Sequence, residues 1–207
     1  MQITAQMVKE LREATGAGPL DCKKALEAND GDLQKALDYL KEKGLARAAK
    51  KLGAGRVMNE GVIASYLHHD KRLGVMVEVN CETDFVARTE TFQQFAYDLA
   101  LHVANLAPEY VKREDVPDAV VQAERELQKR RVLEEGKPEN VAEKIVEGRM
   151  GKFYEEIVLM EQPFIKDDSK TIAKLLAETV VELGESIEIN RFARFRVGEA
   201  SEANEAE

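Results

Sequence analysis

Three groups of side chains in this 207-residue chain are of types that could do or direct chemistry. The first is Glu82-Thr83-Asp84-Phe85-Val86-Ala87, where a carboxylate stands beside a bulky ring. A bulky apolar ring beside a carboxylate at a protruding corner is an unusual pair to present to water, and it points to a protein-binding role. The second is His68-His69-Asp70, whose residue types could ligate a metal. Neighbouring strand residues point to opposite faces, and the only other histidine, His102, falls in a helical pattern, so a polar turn accounts for them. The third is the pair Cys22 and Cys81, far apart in sequence and in different expected elements. Buried free thiols in a reducing cytoplasm are the expectation.

No glycine-rich phosphate loop ending in Lys-Ser/Thr occurs, and no dinucleotide fingerprint. Cys-x-x-Cys, His-Glu-x-x-His and Gly-x-Ser-x-Gly are also missing from the sequence. No enzyme chemistry and no cofactor are therefore expected, and the first group becomes the centre of interest.

Two elements must position it. Leu73, Val75, Val77, Val79 and Cys81 alternate with Gly74, Met76, Glu78 and Asn80, which predicts a strand with one apolar face. Phe92, Phe95, Ala96, Leu99, Val103 and Leu106 repeat at helical spacing. The Thr83–Val86 segment falls at the corner between them, with Asp84 able to cap a helix. Val62–Leu67 predicts a partner strand, turned back through His68–Lys71 into a hairpin.

Upstream, residues 4–43 predict three short helices. Thr4 caps the first, Thr15–Gly18 breaks it, Pro19 opens the second, Asp30–Asp32 separates the third, and Gly44 ends it. A basic linker spans 45–60, and the core resumes over 61–116. Residues 117–160 predict a helical arm with Val120, Val121, Leu127, Leu133, Val141, Ile145, Phe153 and Ile157 as its sparse apolar residues. Ser169 is expected to cap a helix striped by Ile172, Leu176 and Val180 and closed by Gly184. A last strand, Ser186–Val197, is expected to turn Ile187, Ile189, Ala193, Phe195 and Val197 to one face. Residues 198–207 are acidic and expected to be disordered. The class is α+β: a three-helix N-terminal module, a mostly antiparallel sheet packed with helices, and a projecting arm.

Charge narrows the partners. Residues 1–56 hold 11 basic and 8 acidic residues, and the remainder 19 and 31. An acidic body argues against nonspecific nucleic-acid binding. No apolar run reaches the ~20 residues of a membrane span, and the N-terminus lacks a secretory pattern. A cytoplasmic protein is expected.

Leu11–Leu26 (LREATGAGPLDCKKAL), Leu45–Lys51 (LARAAKK) and Glu78–Ala87 (EVNCETDFVA) closely resemble the bacterial elongation factor Ts family, over about Ile3 to Val197. That resemblance implies an N-terminal module like the ubiquitin-associated (UBA) fold. It implies a guanine-nucleotide exchange factor for elongation factor Tu. Thr83, Asp84, Phe85 and Val86 match the motif associated with displacing magnesium from that partner. Phe85 is expected to wedge into its GTPase domain. Arg12, Pro19, Leu20 and Lys23 are expected to grip another helix of that domain. The chain resembles a short form of the family, with one copy of the sheet, so a homodimer is expected through the edge strand Ser186–Val197. Two other functions fit parts of the chain: a UBA-like adaptor without exchange activity, and an RNA-binding accessory protein using Leu45–Arg56. Neither requires the Thr83–Val86 corner.

Overall fold

The computed structural model describes residues 3–15, 17–52, 58–136 and 138–199. Residues 200–207, most of the expected acidic tail, lie outside the described residues, as do the side chains of the basic segment 47–57.

Helices α1 (Ala5–Thr15), α2 (Pro19–Ala28) and α3 (Leu33–Leu52) form the N-terminal module. Thr4 caps the first, its hydroxyl accepting from Met7 N at 3.3 Å. The three helices close on Leu11, Cys22, Ala25, Leu26, Ala36 and Leu40. The sequence reading ends the third helix at Gly44, but α3 continues to Leu52. A glycine inside a helix costs about 1 kcal/mol relative to alanine. Packing explains its presence, because a Cβ at Gly44 would stand 3.1 Å from Val181 Cγ1. The missing side chain lets α3 lie close against the core.

That core is a three-stranded antiparallel sheet in the order β1 (Glu60–Leu67), β2 (Leu73–Cys81), β5 (Ile187–Arg196). The alternation in β2 is as expected: Val75, Val77, Val79 and Cys81 are buried. Helix α5 (Glu90–Leu106) covers this inner face with Phe92, Phe95, Ala96, Leu99 and Val103. Beside it packs α8 (Ile172–Leu183) through Ile172, Leu176 and Val180. The cap of α8 is Thr171, whose hydroxyl accepts from Lys174 N at 3.3 Å. Ser169 does not cap it; Ser169 sits in β4 (Asp167–Thr171), which pairs with β3 (Pro163–Phe164) in a small hairpin.

The last strand departs from its expected facing. Glu78 pairs with Arg191 but Val79 pairs with Ile189, so Asn190 is an extra residue on β5. Glu78 pins this bulge: its carboxylate accepts from Asn190 Nδ2 at 2.9 Å and from Arg191 Nε at 2.7 Å. These hydrogen bonds, Asn190 first, hold the Glu78 carboxyl below its usual range. A bulge flips the phase of the residues beyond it. Ile187 and Ile189 point inward as expected, but Phe192, Arg194 and Arg196 then follow opposite Val77, Val75 and Leu73. Phe195, 70% exposed, and Val197 face out, not in.

The arm is α6 (Asp118–Glu134) and α7 (Glu139–Ile157). Its seam is Val132, Ala142, Val146 and Met150, with Val121, Ile145, Phe153 and Tyr154 beside it. Val120, Leu133 and Val141 are exposed instead. At three places the buried residue is the neighbour of the larger one that marks the pattern in sequence: Val132 beside Leu133, Ala142 beside Val141, and Val146 beside Ile145. At the base the two chain ends are tied together. Glu109 N and Tyr110 N both donate to Ile157 O, and Leu159 N donates to Tyr110 O at 2.8 Å. Arg113 pairs with Glu161 and lies 4.3 Å from the Tyr154 ring centroid.

Candidate partner-binding site

Beyond Cys81 the chain leaves the sheet and turns into the four-residue helix α4, Asp84–Ala87. Thr83 is the cap, its hydroxyl accepting from Val86 N at 3.4 Å. Asp84 is therefore the first helical residue, not the cap, and its carboxylate pairs with Arg88 at 3.0 Å. Val86 and Ala87 are buried and root the helix in the core. Phe85 points the other way and is 80% exposed. A four-residue helix has too few internal bonds to hold itself, so its geometry must come from its neighbours.

The Gly184–Ser186 link between α8 and β5 supplies that hold. Glu185 accepts from Thr83 N at 3.1 Å and from Thr83 Oγ1 at 2.8 Å. Reciprocally, Glu82 accepts from Ser186 N at 2.8 Å. The Cys81 thiol donates to Thr83 O at 3.2 Å. Burial pushes this thiol up, away from the reactive thiolate form. Gly184, with φ 73°, ends α8 in the left-handed conformation and aims the link at the corner. Thr83 thus donates to a carboxylate, caps a helix and fixes the exit of β2 at once.

The four expected corner residues divide their work. Thr83 and Val86 hold, Asp84 and Phe85 present. Glu185 is a positioning residue that sequence reasoning missed. Its carboxylate acts on a residue 102 positions away, and only Gly184 before it marks a turn there.

In the N-terminal module, Arg12 lies in the last turn of α1, and Pro19, Leu20 and Lys23 lie in the first half of α2. All four are exposed, Leu20 by 75%. They flank the α1–α2 connection, with Leu20 as the exposed apolar side chain among them. Lys23 also stands 3.8 Å from Glu27.

The turn histidines are engaged with each other and with the strand. His68 Nδ1 is 2.9 Å from Tyr66 Oη, and its ring centroid is 4.2 Å from that of His69. Among the described residues no three His, Cys, Asp or Glu side chains are grouped to hold a metal. His102 is buried and donates from Nε2 to Gln162 Oε1 at 3.0 Å, while Nδ1 accepts from Ile165 N at 3.3 Å. Burial keeps this ring below its ordinary pKa. Among the described residues no helix is long and apolar enough to cross a membrane. Cys22 and Cys81 are free thiols, both buried.

The family model described as Elongation factor TS matches residues 4–199. An elongation factor Ts from Carboxydothermus hydrogenoformans is 56% identical over 197 residues, covering 95% of this chain and 90% of its own. One from Syntrophomonas wolfei is 58% identical over 200 residues, covering 97% and 92%. Another from Geobacter sulfurreducens is 53% identical over 207 residues, covering 100% and 95%.

Proposed function

The chain belongs to the elongation factor Ts family and is a translation elongation factor; from that premise we propose that it is a nucleotide-exchange factor, binding elongation factor Tu with GDP, displacing its magnesium and releasing GDP so that GTP can enter. The observation that carries the reading is the exposed Phe85 ring on a corner whose every other side is fastened. Chemistry on a covalent bond is not part of it, so the protein is not an enzyme in that sense and acts in the cytoplasm without a cofactor.

Exchange is differential binding: the factor must hold the nucleotide-free partner more tightly than the loaded one, and the coupling is reciprocal. Weakening a nanomolar nucleotide complex to micromolar takes about 4 kcal/mol. Fully burying a phenylalanine is worth about 1.5–3 kcal/mol. With 80% of Phe85 available, its share is about 1.2–2.4 kcal/mol. The ring alone falls short. Asp84 contributes where a cation or phosphate site is being disturbed, and the Arg12, Pro19, Leu20 and Lys23 surface contributes a second grip. Leu20, exposed by 75%, adds about 1.1–2.3 kcal/mol on the same scale. Together the two apolar anchors amount to about 2.3–4.7 kcal/mol, which reaches the amount required only near its top and only as far as each contact favours the nucleotide-free partner, so the Asp84 contribution is needed as well.

Two copies are proposed to pair. Strand β5 forms one edge of the sheet. The outer face beside it carries exposed Ile63, Leu67, Met76 and Phe195. Sedimentation showing a monomer at micromolar concentration would remove the dimer.

The test of exchange is stopped-flow release of labelled GDP from elongation factor Tu. Phe85→Ala should lower kcat/KM roughly 8- to 60-fold, from the burial range above. Its unfolding midpoint should be unchanged, since an exposed substitution seldom moves stability by more than about 0.5 kcal/mol. Release as fast as with the unaltered protein would discard the wedge.

A further inference from the structure

The bulge at Asn190 has a second product. It turns Arg194 and Arg196 toward the helix layer, opposite Val75 and Leu73, while Phe195 faces water. Placing Arg194 largely inside, 15% exposed in its side chain, and Phe195 outside reverses the usual arrangement of a sheet, while Arg196 reaches back to the surface at the end of the strand. The inward arginines do not fill the core. They line a cleft of about 380 Å³ with His68, Arg72, Leu73 and the last turn of α5 at Asn105.

The cleft is strongly cationic. Arg194 is only 15% exposed in its side chain. Its Nη1 donates to both oxygens of Glu199, at 2.8 and 3.0 Å, and Arg196 Nη1 stands 3.9 Å from the same carboxylate. The Arg194 Nε is buried with no hydrogen-bond partner among the described residues. Arg72 gives its backbone N–H to Asp70, at 2.9 Å. A cation near the last turn of a helix is favourable in itself, but one arginine serves that purpose, and three line this cleft. Among the described residues two carboxylates stand against them, Asp70 and Glu199. Asp70 is held by the turn, whereas Glu199 follows β5, its N–H donating to Arg196 O at 3.1 Å, and its carboxylate can swing about its own side-chain bonds without breaking that main-chain bond.

We propose that this cleft is a binding site for a phosphomonoester, and that Glu199, paired with two of its arginines, competes with that ligand for them. With Glu199 turned away, three arginines and Asp70 leave two positive charges. A phosphomonoester carries about −1.5 to −2 at neutral pH and offers oxygens that guanidinium forks bind in pairs. The volume exceeds that of a phosphate group and is in the range of small-molecule sites. Leu73 and the His68 ring supply a wall for the remainder of the ligand.

The probes are inorganic phosphate and phenyl phosphate, titrated against chloride at equal ionic strength. The readouts are calorimetry and the Arg Nε–H resonances in NMR spectra of the full chain. Glu199→Gln removes the competing charge and should tighten phosphate binding roughly tenfold or more. Adding Arg72→Met or Arg196→Met to Glu199→Gln should weaken it again by roughly tenfold or more; both side chains lie at the surface, so these variants fold. The Arg194 Nε–H resonance should shift on binding, and phenyl phosphate should bind at least as tightly as phosphate. If Glu199→Gln binds phosphate no better than the unaltered chain, or if the arginine variants bind equally well, the site does not exist. GDP release is not a readout here, so failure of this proposal leaves the exchange reading untouched, and the reverse.

Discussion

Replacing Glu185 by alanine should impair exchange although Glu185 need not touch the partner. The carboxylate accepts from Thr83 N at 3.1 Å and Thr83 Oγ1 at 2.8 Å, both in a part-buried setting. A hydrogen bond to a charged group is worth about 1.5–3 kcal/mol net. Water can replace part of the pair at this depth, so that range is taken for the two together. Val86 and Ala87 still anchor α4, and the Thr83 cap on Val86 persists. The corner therefore loosens without melting. If the presenting geometry is populated only a fraction of the time, apparent affinity falls by that fraction. The upper range corresponds to a loss on the order of a hundredfold, and the surviving anchors bring the expected loss to about tenfold in kcat/KM. Saturating factor restores the geometry by mass action, so kcat should change less than KM. Glu185→Gln keeps one acceptor oxygen and should fall between. The assay is GDP release over a range of factor concentrations, with the Phe85 ring resonances reporting the corner directly. A Glu185→Ala variant within twofold of the unaltered protein would refute the idea that this carboxylate holds the corner.

Leu20→Ala should leave the unfolding midpoint in place and weaken partner affinity by about 1.1–2.3 kcal/mol, read by titration calorimetry. Gly61→Ala should destabilise by about 3 kcal/mol or more in urea unfolding, because φ is +152° and a Cβ would lie 2.2 Å from Val79 O. His102 is held below its ordinary value by burial, so the unfolded chain takes up its proton first as pH falls. Its contribution is present above about pH 6.5 and is lost as pH drops from there through the folded value, with a slope of at most about 1.4 kcal/mol per pH unit. Urea midpoints between pH 7.5 and 5.5 should show this fall, and His102→Gln should flatten it.

What could be seen beforehand was set by local pattern. Alternation in β2 and helical spacing in α5 depend on neighbouring residues, and they placed the Thr83–Val86 corner between two rigid elements. Whatever depended on a distant partner stayed hidden. The facing of β5 turns on Asn190, whose bulge is pinned by Glu78 112 positions earlier. Ser169 and Thr171 are equally good caps by residue type, and only the β3–β4 pairing decides between them. Gly44 resembles a helix stop until Val181 is seen against it. The exposed half of the corner follows from its sequence; the Glu185 grip beneath it required the fold.

The knot of main-chain bonds joining Glu109 and Tyr110 to Ile157, and Leu159 to Tyr110, makes the arm a cassette. Its entry and exit strands sit side by side, so turns of helix can be added or removed at the far tip without a ripple reaching the sheet. Evolution can lengthen, shorten or re-letter that limb on its own schedule, while the machinery at Phe85 stays in tune.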